Sequence, residues 1–204
     1  MKKLIFFSIF FALCFSSFAQ TNINTSIGYS THGSGDMFGY AVSFGVGKTL
    51  PKVSNRLSLG FNARFMTHSR EYEMGYLNQT LPSYQNSNLR VVTSGSQLEI
   101  VPAFALIKSE GFSFHFHAGI LVRYEVTNSP NIFGYTMISD REVSLTVIND
   151  DTNDFKSFDV GYISQFSMQF KISKRSQLGI AMSFQNDTNG SAITSIPLSY
   201  YFSL

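Results

Sequence analysis

Residues 36–50, DMFGYAVSFGVGKTL, contain two complete side-chain faces when they are read in period two. One face carries Phe38, Tyr40, Val42, Phe44 and Val46, and the other carries Met37, Gly39, Ala41, Ser43, Gly45 and Gly47. Successive side chains of a β-strand point to opposite faces. The segment therefore predicts a strand with one apolar face and one small or polar face, which is typical of the wall of a transmembrane β-barrel.

The first 19 residues have the pattern of a cleaved export signal. Lys2 and Lys3 precede an almost wholly apolar run, residues 4–15, and small residues around Ala19 precede a cut before Gln20. An apolar run of about 10–14 residues is short for a spanning helix, which needs about 20. A lipoprotein signal at Cys14 is disfavoured, because Leu13 occupies a position that such signals fill with a small residue. The prediction is a signal peptide, residues 1–19, and one barrel domain, residues 20–204.

Charge and cysteine content exclude several classes of function. Without Lys2 and Lys3 the mature chain has 13 basic and 13 acidic residues, so its formal charge is zero and no nucleic-acid partner is expected. Cys14 is the only cysteine, so the mature chain has no disulfide, thiolate nucleophile or cysteine metal ligand. The mature chain also has no apolar run long enough for a spanning helix, so a membrane location would require a barrel.

Eight segments alternate in period two along the mature chain. They lie near residues 21–31, 36–50, 56–71, 89–108, 112–126, 156–172, 177–184 and 198–204. The fifth segment is the clearest, because eight successive positions on one face, from Phe112 to Val126, carry no charge. Pro102 lies inside the fourth segment and cannot donate a ladder hydrogen bond, so a local bulge is expected there. The fold class predicted is all-β, an eight-stranded antiparallel up-and-down transmembrane barrel.

The links between the predicted strands alternate between short and long. Short links fall near residues 50–55, 109–110 and 173–175, and the two longest links near residues 72–88 and 128–155. Outer-membrane barrels have short periplasmic turns and longer extracellular loops. Two short apolar segments, residues 131–138 and 142–148, predict a hairpin above the barrel, because they fall short of the 9–11 residues a spanning strand needs. A ten-stranded barrel that uses both segments is the structural alternative.

Alternation alone does not say which face is inside, and a soluble lipocalin-like barrel that binds a hydrophobic ligand is the inverted alternative. The polar face is rich in Gly, Ala and Ser, which suits a small crowded lumen and favours the membrane barrel. The absence of Trp leaves interfacial girdles to other aromatic residues, and the candidates are Tyr29, Tyr40, Tyr124, Tyr162 and Tyr200.

An eight-stranded barrel has an interior that side chains just fill, so an open pore is not expected. The polar network predicted for the lumen comprises Arg64, Glu99, His115, His117, Arg123, Glu125 and Asp159. Position along the strands puts Arg64 and Glu99 at one depth and Arg123, Glu125 and Asp159 at another, where charges of opposite sign should pair. A structural plug is the main interpretation, and a narrow gated channel is the alternative.

Two groups of residues have some features of a metal site, but neither pattern predicts one. His115 and His117 face the same way but lack a third ligand in sequence. The acidic run at residues 149–154 lacks the glycine and terminal Glu of an EF-hand loop, so a solvated loop is favoured over a calcium site. No metal or cofactor is expected.

Catalysis is the principal rival class of function, because some eight-stranded barrels modify lipid A with a His and a Ser near the outer leaflet. The segments His32-Gly33-Ser34 and His68-Ser69 fall near the predicted outer rim. No Asp or Glu partner is defined by spacing, so the chain is predicted not to be an enzyme.

The signal, the eight alternating strands and the C-terminal strand PLSYYFSL resemble the small outer-membrane β-barrels of Gram-negative bacteria, the OmpA-barrel, OmpX and PorT-like group. The family's last strand usually ends in an aromatic residue, whereas this chain ends in Leu204 after Phe202. The resemblance implies insertion by the barrel-assembly machinery, and we expect a monomer surrounded by outer-membrane lipid and lipopolysaccharide. The filled lumen and the segments that project above the barrel predict a structural or surface-interaction role, in which exposed strand edges bind an extracellular protein by strand addition.

Overall fold

A computed structural model describes residues 21–33, 36–51, 53–77, 84–129, 134–139, 142–146 and 153–204. Side chains are described for these residues except in the segments 72–89 and 129–153. The predicted signal peptide, residues 1–19, lies outside the described residues, as does most of the acidic run at 149–154.

Eight of the ten strands close into one antiparallel barrel. The ten strands are β1 (Thr21–His32), β2 (Met37–Thr49), β3 (Leu57–Leu77), β4 (Tyr84–Lys108), β5 (Phe112–Ser129), β6 (Gly134–Ser139), β7 (Glu142–Thr146), β8 (Asn153–Lys171), β9 (Ser176–Asp187) and β10 (Ile193–Ser203). Around the barrel the order is β1, β10, β9, β8, β5, β4, β3, β2, and β1 pairs with both β2 and β10. The predicted eight-stranded barrel is confirmed.

The two short strands β6 and β7 pair only with each other among the described residues. The ten-stranded alternative is therefore wrong. At six and five residues, these strands are too short to span a bilayer within the wall.

The apolar face of each barrel strand points outward and the polar face points inward. Leu98, Ile120 and Phe158 are exposed by 67%, 59% and 71% of their surface, whereas Ser30, Glu99 and Arg123 are buried. All five tyrosines proposed for the girdles are exposed on the outer face, by between 40% and 66%. The inverted, lipocalin-like arrangement is thus wrong, and the barrel presents to its surroundings the surface that lipid hydrocarbon solvates. No helix among the described residues is long and apolar enough to cross a bilayer.

The wall of the barrel is taller on one side than on the other. Strands β9, β10, β1 and β2 have 11–13 residues, whereas β3, β4, β5 and β8 have 18–25. Most of the excess lies at the end opposite the short links 50–56, 109–111 and 172–175. We call the end with these links the short-turn end and the opposite end the tall end. The region predicted as a loop at residues 72–88 is mostly strand, because β3 and β4 stay paired as far as Leu77 and Tyr84.

The bulge expected at Pro102 is absent, and the register of β4 against β5 shifts instead between Ala105 and Ile107. At Pro102 the ladder to β5 is interrupted without a change of register, while the pairing of Pro102 with Leu59 on β3 is kept. Gly119 on β5 lies against this gap, and a Cβ there would come 2.2 Å from the carbonyl oxygen of Ile100. A missing side chain therefore lets the two backbones approach closely beside the proline, and no residue has to be inserted.

Candidate functional site: the luminal polar network

A connected chain of polar side chains crosses the middle of the lumen. Arg64 on β3 lies with its Nε 2.8 Å from Oε1 of Glu99 on β4, and both side chains are buried. Glu99 also accepts hydrogen bonds from Nδ2 of Asn62, at 3.1 Å, and from Nε2 of Gln97. Arg64 donates through Nη1 to the hydroxyl of Ser195 on β10, at 3.3 Å. The structure thus brings together the first pair of charges that the sequence placed at one depth.

Arg123 on β5 is the centre of the second layer, and its side chain is fully buried. Its Nε donates to Oε1 of Gln97 at 3.1 Å, and its Nη2 donates to Oε1 of Gln185 at 2.9 Å. Its Nη1 donates to Oδ2 of Asp187 on β9 at 2.8 Å. Gln97 joins this layer to Glu99, so the two layers form one continuous network.

The sequence predicts that Arg123 pairs with Glu125 or Asp159, and this prediction is wrong. The carboxylate that pairs with Arg123 is that of Asp187. Asp159 is directly opposite Arg123 in the β5–β8 register, but it accepts hydrogen bonds from the hydroxyls of Ser157, at 2.7 Å, and Thr188, at 3.5 Å. The long guanidinium arm reaches past β8 to Asp187 on the strand beyond. Asp187 lies three residues beyond the predicted end of the seventh segment, on the continuation of its polar face, so the sequence prediction does not include it.

A third cluster lies toward the tall end of the lumen. His32 on β1 has its Nε2 3.2 Å from Oε2 of Glu125, and its ring centroid is 5.4 Å from that of His68. His68 in turn shares a 2.7 Å hydrogen bond between its Nε2 and the hydroxyl of Ser30. The structure therefore brings together the two histidines of the proposed catalytic segments, but the hydroxyl that contacts His68 is that of Ser30.

The Ser30–His68 pair has the spacing of a nucleophile and a base, yet its surroundings differ from those of a catalytic triad. Nδ1 of His68 has no hydrogen-bond partner among the described residues, whereas a triad needs an acid at that atom. Both side chains are at most 1% exposed and face the lumen. Ser69 lies one position further on and so points to the opposite face, and Ser34 lies outside the described residues.

His115 and His117 line a cavity toward the short-turn end. Their Nε2 atoms are each 2.8 Å from a serine hydroxyl, that of Ser113 and that of Ser167 respectively, and their ring centroids are 6.0 Å apart. Within the described part of the chain, no group of three or more His, Cys, Asp or Glu side chains is arranged to hold a metal ion. The arrangement can therefore orient two imidazoles toward a polar cavity, and the buried polar layers above them close the lumen.

Comparison with known proteins bears on the fold. Neisserial surface protein A matches with a TM-score of 0.58 at 7% sequence identity, over 90% of this chain and 97% of that chain. The N-terminal β-barrel domain of Pseudomonas aeruginosa OprF matches with a TM-score of 0.47 at 8% identity, over 90% of this chain and 98% of that chain. The Escherichia coli outer membrane protease OmpT matches with a TM-score of 0.44 at 9% identity, over 90% and 96%. No protein-family model matches the sequence, and a search of curated proteins gives no match. The similarity to Neisserial surface protein A and the closed eight-stranded wall together give this chain the fold of the small outer-membrane β-barrels.

Proposed function

We propose that the chain is a non-enzymatic protein of the bacterial outer membrane, of the OmpA-barrel and OmpX-like kind, that binds another protein at its tall end. In this proposal the short-turn end faces the periplasm, the barrel-assembly machinery inserts the chain as a monomer, and lipopolysaccharide surrounds its outer half. The observation that carries the proposal is the free strand edge of β8 at the tall end.

The tall wall has more than one free strand edge among the described residues. One belongs to β3, whose pairing with β2 ends at Ser69 while its pairing with β4 continues to Leu77, and the one on which the proposal rests belongs to β8. Its pairing with β9 begins at Gly161, opposite Asp187, whereas its pairing with β5 continues to Asn153. Residues 153–159, about 23 Å of strand, therefore have a neighbouring strand on one side only among the described residues. A free edge of this length is a template for pairing with another chain.

The backbone groups on that edge can be assigned from one hydrogen bond. The amide of Thr188 donates to the carbonyl oxygen of Val160, at 3.0 Å, so the backbone groups of Val160 face the β9 side. Because successive residues of a strand face alternate neighbours, the N–H and C=O groups of Phe158, Lys156 and Asp154 face the open side. An added strand would form its hydrogen bonds with these three residues.

A proline at residue 156 tests strand addition directly. Lys156→Pro removes one N–H from the open side and leaves the ladder to β5 intact, and proline is tolerated on an edge strand. Lys156→Ala removes the same side chain and keeps the N–H, so it is the matched control. With each variant displayed on cells, we expect Lys156→Pro to lower binding to immobilised extracellular proteins by about tenfold and Lys156→Ala to retain it. Equal binding by both variants would show that the edge is not used.

The lumen supports a closed barrel in this proposal. Two buried arginines with their acids and amides bridge β3, β4, β5, β9 and β10 across the centre. A narrow gated channel is the alternative, and conductance in a planar bilayer after verified insertion of the folded protein would establish it.

The enzymatic alternative rests on the 2.7 Å contact between Ser30 and His68. Mass spectrometry of lipid A from cells with and without the protein tests it. A mass change that disappears in Ser30→Ala and persists in Ser69→Ala would replace the non-enzymatic proposal.

A further inference from the structure

The half of the lumen next to the short turns holds a polar cavity of about 200 Å³. Its lining reaches the strand ends at Thr49, Lys108 and Ser113, so the cavity extends to the short-turn end. Arg64 and Glu99 line its inner limit and belong to the network that closes the lumen. The cavity is therefore a blind chamber that extends from the short-turn end.

The chamber wall offers hydrogen bonds with little net charge. Amides and hydroxyls from seven strands line it, among them Asn24, Gln165, Gln169, Ser199 and Tyr201. The charges of Arg64 and Glu99 compensate each other at 2.8 Å. A wall of this kind suits a hydroxyl-rich solute, which can exchange its bonds to water for bonds to amides and hydroxyls.

Lys108 adds a cation where the chamber meets the strand ends. Its Nζ donates to the backbone carbonyl oxygen of Asn55, at 2.9 Å, and no ion pair with a carboxylate is seen for it within the described ranges. Other cations gather at the same end of the barrel. The described basic residues there are Lys48, Arg56, Lys108, Lys171, Lys174 and Arg175, against a single acidic side chain, that of Glu110. Such a rim attracts anions and raises their local concentration at the mouth.

We propose that this chamber binds a small anionic polyol, a phosphate ester of a short hydroxylated chain, with the anion at Lys108 and the hydroxyl groups inside. The volume sets the size, since about 200 Å³ holds roughly seven waters and is smaller than the roughly 300–1,000 Å³ of pockets for drug-sized ligands. The site lies at the end opposite the β8 edge, so a test of this site does not depend on whether the β8 edge binds another protein.

Calorimetric titration of the full folded barrel in phosphatidylcholine nanodiscs tests the proposal, with glycerol 3-phosphate as the probe. Glycerol lacks the anion and inorganic phosphate lacks the polyol, so each should bind at least about tenfold more weakly than the ester. Lys108→Gln should weaken ester binding about tenfold. Lys174→Gln removes a rim charge that does not line the chamber, so it should change binding less than threefold.

Several outcomes would overturn the proposal. The first is that the ester does not bind at millimolar concentration, and the second is that inorganic phosphate binds as tightly as the ester. The third is that Lys108→Gln and Lys174→Gln weaken ester binding equally. A lipid headgroup carries the same chemistry, so the titration is repeated in nanodiscs that contain phosphatidylglycerol. Unchanged affinity there supports a soluble ligand, and loss of ester binding shows that the headgroup takes the site instead. Heat modifiability of each variant on a gel verifies that it is folded.

Discussion

Replacing Asp187 by Asn should destabilise the barrel more than any other single amide substitution at a luminal acid outside the Arg64–Glu99 pair. Oδ2 of Asp187 accepts from Arg123 at 2.8 Å, while Oδ1 accepts from the backbone amides of Asn189 and Ser191, each at 3.0 Å. An asparagine has one acceptor oxygen where the carboxylate has two. Asp187→Asn must therefore abandon either the guanidinium or the two backbone amides.

The magnitude follows from the burial of the pair. The side chains of Arg123 and Asp187 are 0% and 1% exposed, so water cannot reach the guanidinium and replace the lost carboxylate. Breaking a buried ion pair by removing one charge costs about 3–5 kcal/mol. Asp159→Asn is the matched control, because Asp159 is also buried but accepts from two hydroxyls, and its loss should cost about 1 kcal/mol.

The assay is urea unfolding in phospholipid vesicles, followed by the gel shift of the folded form. The double variant Arg123→Met/Asp187→Asn removes the stranded charge and should recover most of the lost stability. Equal losses for Asp187→Asn and Asp159→Asn, or a loss below about 1 kcal/mol for Asp187→Asn, would refute the assignment of Asp187 as the partner of Arg123.

Three further predictions use the same unfolding measurement. Gly119→Ala should lower the free energy of unfolding by about 1–3 kcal/mol, because the added Cβ would lie 2.2 Å from a backbone oxygen of β4. Gly47→Ala should lower it little, because the nearest atom to an added Cβ there is 4.0 Å away. Equal effects of the two substitutions would contradict the close approach at Gly119. Leu98→Arg should cost about 2–4 kcal/mol in a bilayer, since Leu98 is 67% exposed on the outer face, whereas a neutral effect would argue against lipid at that face. Glu99→Gln should lower the free energy of unfolding by about 3–5 kcal/mol, and the double variant Arg64→Met/Glu99→Gln should lower it much less. A loss in the double variant equal to the sum of the two single losses would contradict the ion pair.

Much of the fold could be predicted from period-two alternation, because a strand that separates lipid from a polar lumen needs one face of each kind. The clearest case is β5, where the predicted span ends three residues short of the observed Ser129. The height of the wall was harder to predict, since above the lipid the outer face turns polar and alternation fades. This is why β3 and β4 continue six and five residues beyond their predicted ends, to Leu77 and back to Tyr84.

Luminal contacts were only partly predictable, because alternation identifies the face of a side chain and not its partner across the lumen. Arg64 and Glu99 lie on neighbouring strands, so matched depth was enough to pair them. Arg123 bonds two strands away, to Asp187, and register alone points to Asp159. The reach of a long side chain across a narrow lumen decides such cases, and it depends on the closed geometry of the whole barrel.

The central claim is that the apolar face is embedded in lipid, and one spin label tests it most directly. The only cysteine of the chain is Cys14, in the predicted signal, so Ile120→Cys gives a single labelling site on the mature protein, at a position 59% exposed on the outer face of β5. In vesicles, the account predicts that a nitroxide there is relaxed by oxygen dissolved in the bilayer and shielded from a water-soluble nickel chelate. Strong relaxation by the nickel chelate with little effect of oxygen would contradict it, because residue 120 would then face water.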